Sequence, residues 1–193
     1  MKKAVLGGTF DPPHFGHLLV ARQVLEQRLD IDEIVLMPAN TNPDKTVYAN
    51  AHDRLAMTKL IEENNIYVSD MDIKRGGPTY TKDTVRELLK DSNNTYEFII
   101  GSDLIETIKT WEGYDAYLRQ IPFIVFPRPD YPVQKNDSQM IVLSPNDLLS
   151  ANYSSTLIRK RIYEGKSITG LVSEKIENYI QMHGLYRKPN NYA

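Results

Sequence analysis

Residues 7–17 read GGTFDPPHFGH, and two of them, His14 and His17, stand three positions apart. That spacing puts two side chains on one face of a helical turn, where both imidazoles can donate to the same anion. Gly7 and Gly8 follow a short apolar run directly, and without Cβ atoms they let a ligand approach the backbone closely. Pro12 and Pro13 stiffen the turn that follows. A helix beginning near His14 or Phe15 adds free N–H groups and the positive end of its dipole, which together attract phosphate. Gly16, between the histidines, is expected to leave room for phosphate oxygens. One or both histidines of an HxxH pair can also be core or surface residues, or ligands of a zinc ion that needs a third. His52 and His183 are distant in sequence, in helical and tail contexts, which disfavours zinc. The conjunction of strand end, paired glycines, prolines, histidines and helix start favours a phosphate cradle.

A second candidate lies at Ser154-Ser155-Thr156-Leu157-Ile158-Arg159. Ser154 or Ser155 makes a good N-cap, and capping alone would account for it. Hydroxyls and a nearby Arg at a helix start also form an anion site. Two such sites in one chain suggest a ligand with several phosphates.

These residues need a scaffold, and the pattern supplies one. Strand-like runs at Ala4–Leu6, Ile34–Met37, Ile66–Val68, Glu97–Ile100, Phe123–Phe126 and Met140–Leu143 alternate with helical patterns. The helices are expected at Phe15–Leu29, His52–Glu63, Thr81–Lys90, Ser155–Tyr163 and Ser173–Met182. This predicts an α/β fold: a Rossmann-like, mostly parallel sheet with helices on both faces and a small C-terminal helical portion. The sequence reads as a single domain over 1–193, with the helices from about residue 155 belonging to it. In such sheets ligands bind beyond the carboxyl ends of the strands, and the unusual loops GGTFDPPH, PANTNPDK, GSD and PRPDY fall there. The polar segment between Pro38 and His52 reads as a mobile loop.

Composition sets further bounds. Hydrophobic residues at 41% and charged residues at 25% are those of an ordinary globular protein. A formal net charge of −2 gives no global attraction to nucleic acid or to an anionic membrane, so an anionic ligand needs local donors. The absence of cysteine excludes disulfides, thiolate metal sites and a Cys nucleophile. The apolar run in MKKAVLGGTF is too short for a signal peptide or a membrane span, and the expectation is a cytoplasmic protein. Gly165-Lys166-Ser167 lacks the Gly at position 160 that a P-loop requires, and no GxGxxG occurs. The N-x-[ST] matches at Asn93, Asn136 and Asn152 are chance occurrences in that setting.

With both motifs in hand, GGTFDPPHFGH resembles the HxGH signature of the nucleotidyltransferase superfamily, and its Gly-Gly-Thr-Phe-Asp-Pro lead-in resembles the bacterial nicotinate mononucleotide adenylyltransferases. SSTLIR at 154–159 resembles the second family signature, SSTxxR. The likeness spans nearly the whole chain, including TYTKDT at 79–84, GSD at 101–103, Trp111 and PRPDY at 127–131. It implies transfer of the adenylyl group of ATP to nicotinate mononucleotide, with Mg²⁺ carried by the ATP phosphates and no metal held by the protein. It implies His14, His17 and Arg159 as catalytic residues. For ATP it implies Gly8, Thr9, Phe10, Gly16, Lys45, Gly101, Asp103, Ser154, Ser155 and Thr156. For the mononucleotide it implies Thr84 and Tyr114 near the ring carboxylate, Trp111 stacked on the pyridine ring and Arg128 on the phosphate. Trp111 could equally be a core residue, Asp103 a helix cap and Arg128 a solvated loop residue. The sequence departs from the family where Pro-Pro-His-Lys is common: it has Asn42-Pro43-Asp44-Lys45. Nicotinamide mononucleotide and phosphopantetheine are the rival acceptors, and a non-catalytic nucleotide sensor is the rival class. A homo-oligomer is compatible with the sequence.

Overall fold

The computed structural model describes residues 1–43, 45–118, 120–133, 140–149 and 151–188. Strand β1 (Lys2–Gly8) leads to helix α1 (Phe15–Gln27), and β2 (Glu33–Pro38) leads to α2 (Ala51–Lys59). Strand β3 (Ile66–Val68) passes through a short α3 (Met71–Arg75) into α4 (Thr81–Leu88). After β4 (Thr95–Gly101) come a 3₁₀ turn at Ser102–Leu104, α5 (Ile105–Ile108) and α6 (Tyr114–Leu118). Then follow β5 (Phe123–Phe126), β6 (Met140–Val142), α7 (Ser155–Tyr163) and α8 (Glu174–Met182).

The six strands form one sheet in the order β3-β2-β1-β4-β5-β6, and every neighbouring pair is parallel. This is the doubly wound order, whose switch point lies where the chain turns from β1 outward in both directions. Burial on both faces explains the unbroken apolar runs. Ala4, Ile99 and Ile124 face one core, with Leu18 and Val24 of α1, Met57 of α2, Ile158 of α7 and Ile176 of α8. Their neighbours Val5, Phe98, Ile100, Phe123 and Val125 face the other core, with Val85 and Leu88 of α4 and Ile108 of α5. The C-terminal helices thus pack on the same face as α1.

Local chemistry sets several boundaries. Asn50 caps α2 by accepting from Asp53 N–H at 2.9 Å, and Ser154 caps α7 by accepting from Leu157 N–H at 3.0 Å. Three expectations for helix ends are corrected: α1 stops at Gln27, α2 at Lys59 and α4 at Leu88, earlier than the sequence pattern suggested. The short helices α3, α5 and α6 were not foreseen, being too brief to show a period. No helix among the described residues is long and apolar enough to cross a membrane.

Candidate active site

The carboxyl ends of β1 and β4 flank the switch point, and the two sequence motifs meet there. The backbone at Phe10 has φ 50°, a left-handed turn, and it brings the chain round after Gly8. Phe10 is 1% exposed, so its ring packs in the core and against His17 at 4.5 Å rather than presenting a surface. The Asp11–Pro12 peptide is cis. His14 then takes the N-cap position of α1 with an extended backbone.

His17 is the third residue of α1, and its Nδ1 accepts from the His14 N–H at 3.1 Å. This is half of a capping box, with imidazole in place of the usual Glu or Gln. It has a chemical consequence: with Nδ1 an acceptor, neutral His17 carries its proton on Nε2 and donates from that atom alone. The two rings lie 3.9 Å apart, and His14 is stacked near Tyr153 at 6.2 Å. His14 is 7% exposed, and its buried Nδ1 has no hydrogen-bond partner. Burial, with the charge of Arg128 adding to it, pushes the His14 pKa down to about 4. Burial and then the neighbouring His14 hold His17 well below 6.5 as well. Both rings are therefore neutral donors at neutral pH.

Two details of the cradle differ from expectation. The first turn of α1 is not a row of free donors: Phe15 N–H is held by the Leu171 carbonyl at 3.1 Å and His17 N–H by the His14 carbonyl at 3.0 Å. The space at Gly16 is also taken from inside the protein. A Cβ there would stand 2.8 Å from Tyr153 Cβ and 2.9 Å from His14 Nδ1. Glycine is required for these two side chains to lie where they do.

The second motif docks onto the first. Ser155 Oγ donates to the Pro12 carbonyl at 2.8 Å, and Arg159 Nη1 donates to the Asp11 carbonyl at 2.7 Å. Arg159 Nη2 donates to Thr156 Oγ1 at 3.2 Å, and its guanidinium covers the Tyr48 ring at 4.3 Å. The start of α7 is thus fixed beside the start of α1, with Ser154 as its cap.

Asp11, to which the sequence motif alone gives no role, is central to the site. It is buried, and its carboxylate accepts from Tyr48 N–H at 2.7 Å, Ala49 N–H at 3.1 Å and Tyr186 Oη at 2.7 Å. Burial and this carboxylate push the Tyr186 phenol up. The loop after β2 is accordingly tied at both ends. Asn40 N–H donates to Thr79 Oγ1 at 3.0 Å and Thr79 N–H to the Thr41 carbonyl at 2.9 Å, while Tyr48 and Ala49 are held by Asp11. Lys45 is exposed on it. Asp44, where the sequence departs from the family, lies outside the described residues.

Beyond β4 and β5, Asp103 and Arg128 form an ion pair at 3.0 Å, so residues expected to serve two different substrates face one another. A Cβ on Gly101 would stand 2.3 Å from Asp103 Oδ1 and 2.7 Å from Arg128 Nε, so this ion pair lies directly over the strand end. Arg128 N–H donates to Ser102 Oγ at 2.8 Å. Trp111 and Tyr114 pack partly buried against the core under α4. Thr84 is 3% exposed, and its hydroxyl donates to Asp72, with both carboxylate oxygens at 2.9 Å. The side chain hydroxyl of Thr84 is thus engaged inside the protein.

The described residues contain no group of three or more His, Asp or Glu side chains able to hold a metal ion. Asp11, the one carboxylate between β1 and α1, is already occupied by three donors. The site is therefore built of hydrogen-bond donors and a guanidinium, a set that suits a polyphosphate bringing its own cation. Two surface clefts lie elsewhere, one of about 410 Å³ lined by Lys2, Tyr96 and Pro122 at the opposite end of the strands.

A family model for cytidylyltransferase-like proteins matches residues 5–161. A protein of Halalkalibacterium halodurans named "Probable nicotinate-nucleotide adenylyltransferase" is 40% identical over 193 residues, covering 95% of this chain and 90% of its own. A protein of the same name from Oceanobacillus iheyensis is 37% identical over 186 residues, covering 94% and 95%. The nicotinic acid mononucleotide adenylyltransferase of Plasmodium falciparum, solved complexed with NaAD, superposes with a TM-score of 0.80 at 23% identity over 96% of this chain and 97% of that one, a likeness of fold. The docked motifs and these relatives agree: the chain is a nucleotidyltransferase and belongs, among the cytidylyltransferase-like proteins, to the nicotinate-nucleotide adenylyltransferase family.

Proposed function

We propose that this protein transfers the adenylyl group of ATP to nicotinate mononucleotide, giving nicotinate adenine dinucleotide and pyrophosphate. A phosphate oxygen of the mononucleotide attacks the α-phosphorus of ATP. The bond from that phosphorus to the α–β bridging oxygen breaks, and its electron pair leaves on pyrophosphate. The nucleophile is already an anion, so no strong base is needed. Catalysis then consists of alignment and of stabilising charge on the transferring phosphoryl and leaving groups.

The neutral histidines and the α7 start are suited to that work. His17 donates from Nε2 to an oxygen of the α-phosphate, and His14 lies beside it. Arg159, Ser155 and Thr156 hold the β- and γ-phosphates, and Lys45 reaches in from the tethered loop. Mg²⁺ arrives as part of the MgATP substrate. Gly8, Thr9, Gly16 and Gly101 shape the cleft for the nucleotide, and Asp103 accepts from a ribose hydroxyl. Trp111 stacks on the pyridine ring near Tyr114, and Arg128 takes the mononucleotide phosphate, which requires it to leave Asp103.

The observation that carries this reading is the docking of the two motifs, Ser155 on Pro12 and Arg159 on Asp11, across the switch point of the sheet. The test is product formation from MgATP with nicotinate mononucleotide, nicotinamide mononucleotide or phosphopantetheine as acceptor. Dinucleotide and pyrophosphate in equal amounts, fastest with the nicotinate form, are expected. Pyrophosphate release only with phosphopantetheine would overturn the acceptor, and binding of ATP without release would favour a sensor.

A further inference from the structure

Arg54 stands in α2, four residues after the Asn50 cap. It is 1% exposed and is the largest fully buried side chain of the described residues. An isolated cation in a protein interior is costly, so a buried guanidinium must be matched by acceptors. Among the described residues none of its hydrogen bonds goes to a carboxylate. Nε donates to the Ala49 carbonyl at 3.1 Å, and Nη1 to the Thr9 carbonyl at 2.7 Å and the Ala39 carbonyl at 2.6 Å. Nη2 donates to the Asn40 carbonyl.

Those four carbonyls belong to three passages of chain. Thr9 follows β1 and leads into the histidine turn. Ala39 and Asn40 follow β2 and open the loop that carries Lys45. Ala49 closes that loop. The buried carboxylate of Asp11 grips the same loop end from the other side, taking the N–H groups of Tyr48 and Ala49. Ala49 is therefore held through its N–H by Asp11 and through its carbonyl by Arg54. Tyr48, next to it, supports the guanidinium of Arg159 from below.

We propose that Arg54 is a positioning residue for polyphosphate binding, acting with Asp11 as a clasp that sets the histidine turn, the Lys45 loop and Arg159 relative to one another. Its fan of donors fits backbone carbonyls, which a lysine ammonium cannot reach in four directions. By engaging these carbonyls it also turns them away from a site meant for anions. The inference rests on the reading that the His14–Arg159 site takes the phosphates of ATP.

The test uses Arg54→Lys and, from the other side of the clasp, Asp11→Asn, each assayed well below its own Tm. Calorimetry measures the Kd for inorganic tripolyphosphate, and steady-state kinetics give KM separately for MgATP and for nicotinate mononucleotide. Tripolyphosphate affinity and kcat/KM for ATP should fall about ten- to a hundredfold, with KM for the mononucleotide little changed. In Arg54→Ala, millimolar guanidinium should restore part of the lost tripolyphosphate affinity. Unchanged tripolyphosphate binding in both variants, or equal losses toward both substrates with no guanidinium rescue, would overturn the clasp. Failure of the wild-type protein to bind tripolyphosphate would instead overturn the proposed function on which the clasp depends.

Discussion

Arg159 reaches across 148 residues of sequence to donate to the main-chain carbonyl of Asp11 at 2.7 Å. Through this bond the C-terminal helix start is locked to the turn that precedes the histidines. Nη2 donates to Thr156 Oγ1 and Tyr48 supports the guanidinium, so its plane is fixed before any ligand arrives. We expect Arg159→Lys to keep the charge and lose this orientation, lowering kcat about a hundred- to a thousandfold with little loss of Tm. Turnover within a factor of about three of wild type would remove Arg159 from the chemistry.

Gly16 is expected to tolerate no side chain. In Gly16→Ala the new methyl would press on His14 and on Tyr153, and overpacking of this kind costs about 1–3 kcal/mol. A fall in Tm together with a fall in kcat is the anticipated pattern, read by calorimetric melting and pyrophosphate release. A stable, fully active alanine variant would show that His14 need not sit where it does.

The depressed histidines predict a pH dependence of the ligand-free protein. His14 titrates at about 4 in the fold and near 6.5 when unfolded. Between those values the unfolded chain binds the proton that the fold refuses, so stability is fully present above pH 6.5 and falls as pH drops toward 4. The loss from His14 amounts to roughly 3 kcal/mol, and His17 acts in the same direction. Between pH 7 and pH 4.5 the Tm should fall more steeply with pH for wild type than for His14→Gln. Parallel slopes would mean that His14 is not held neutral by its surroundings.

Trp111 is the only tryptophan, so its fluorescence reports on one place. Nicotinate mononucleotide should quench it saturably, and Trp111→Ala should raise KM for the mononucleotide about tenfold or more while leaving KM for ATP nearly unchanged. A rise confined to ATP would move the pyridine ring elsewhere.

The strands and the two motifs were legible because their signals are local. Parallel strands buried on both faces leave unbroken apolar runs such as FIVF at Phe123–Phe126, and glycines, prolines and histidines cluster where β1 ends. The clasp was not legible, and the reason is physical. Among the described residues Arg54 bonds only to backbone carbonyls, which every residue carries, so no partner residue type marks its burial. The loop after β2 looked mobile from its polar composition, yet Asp11 and Thr79 tie its ends by long-range bonds that no local pattern encodes. The bond from the Thr84 hydroxyl to Asp72 spans twelve residues and two helices, and no local pattern encodes it either.

The most direct measurement is single-turnover pyrophosphate release from MgATP and nicotinate mononucleotide by wild type and by His17→Ala, with circular dichroism to verify that both are folded. With enzyme in excess over MgATP, we expect wild type to release pyrophosphate equal to the limiting MgATP in one phase, and the variant to do so at a rate lower by about a hundredfold or more. Equal rates in the two folded proteins would contradict a role for His17 at the reacting phosphate, and with it the placement of the chemistry at the joined starts of α1 and α7.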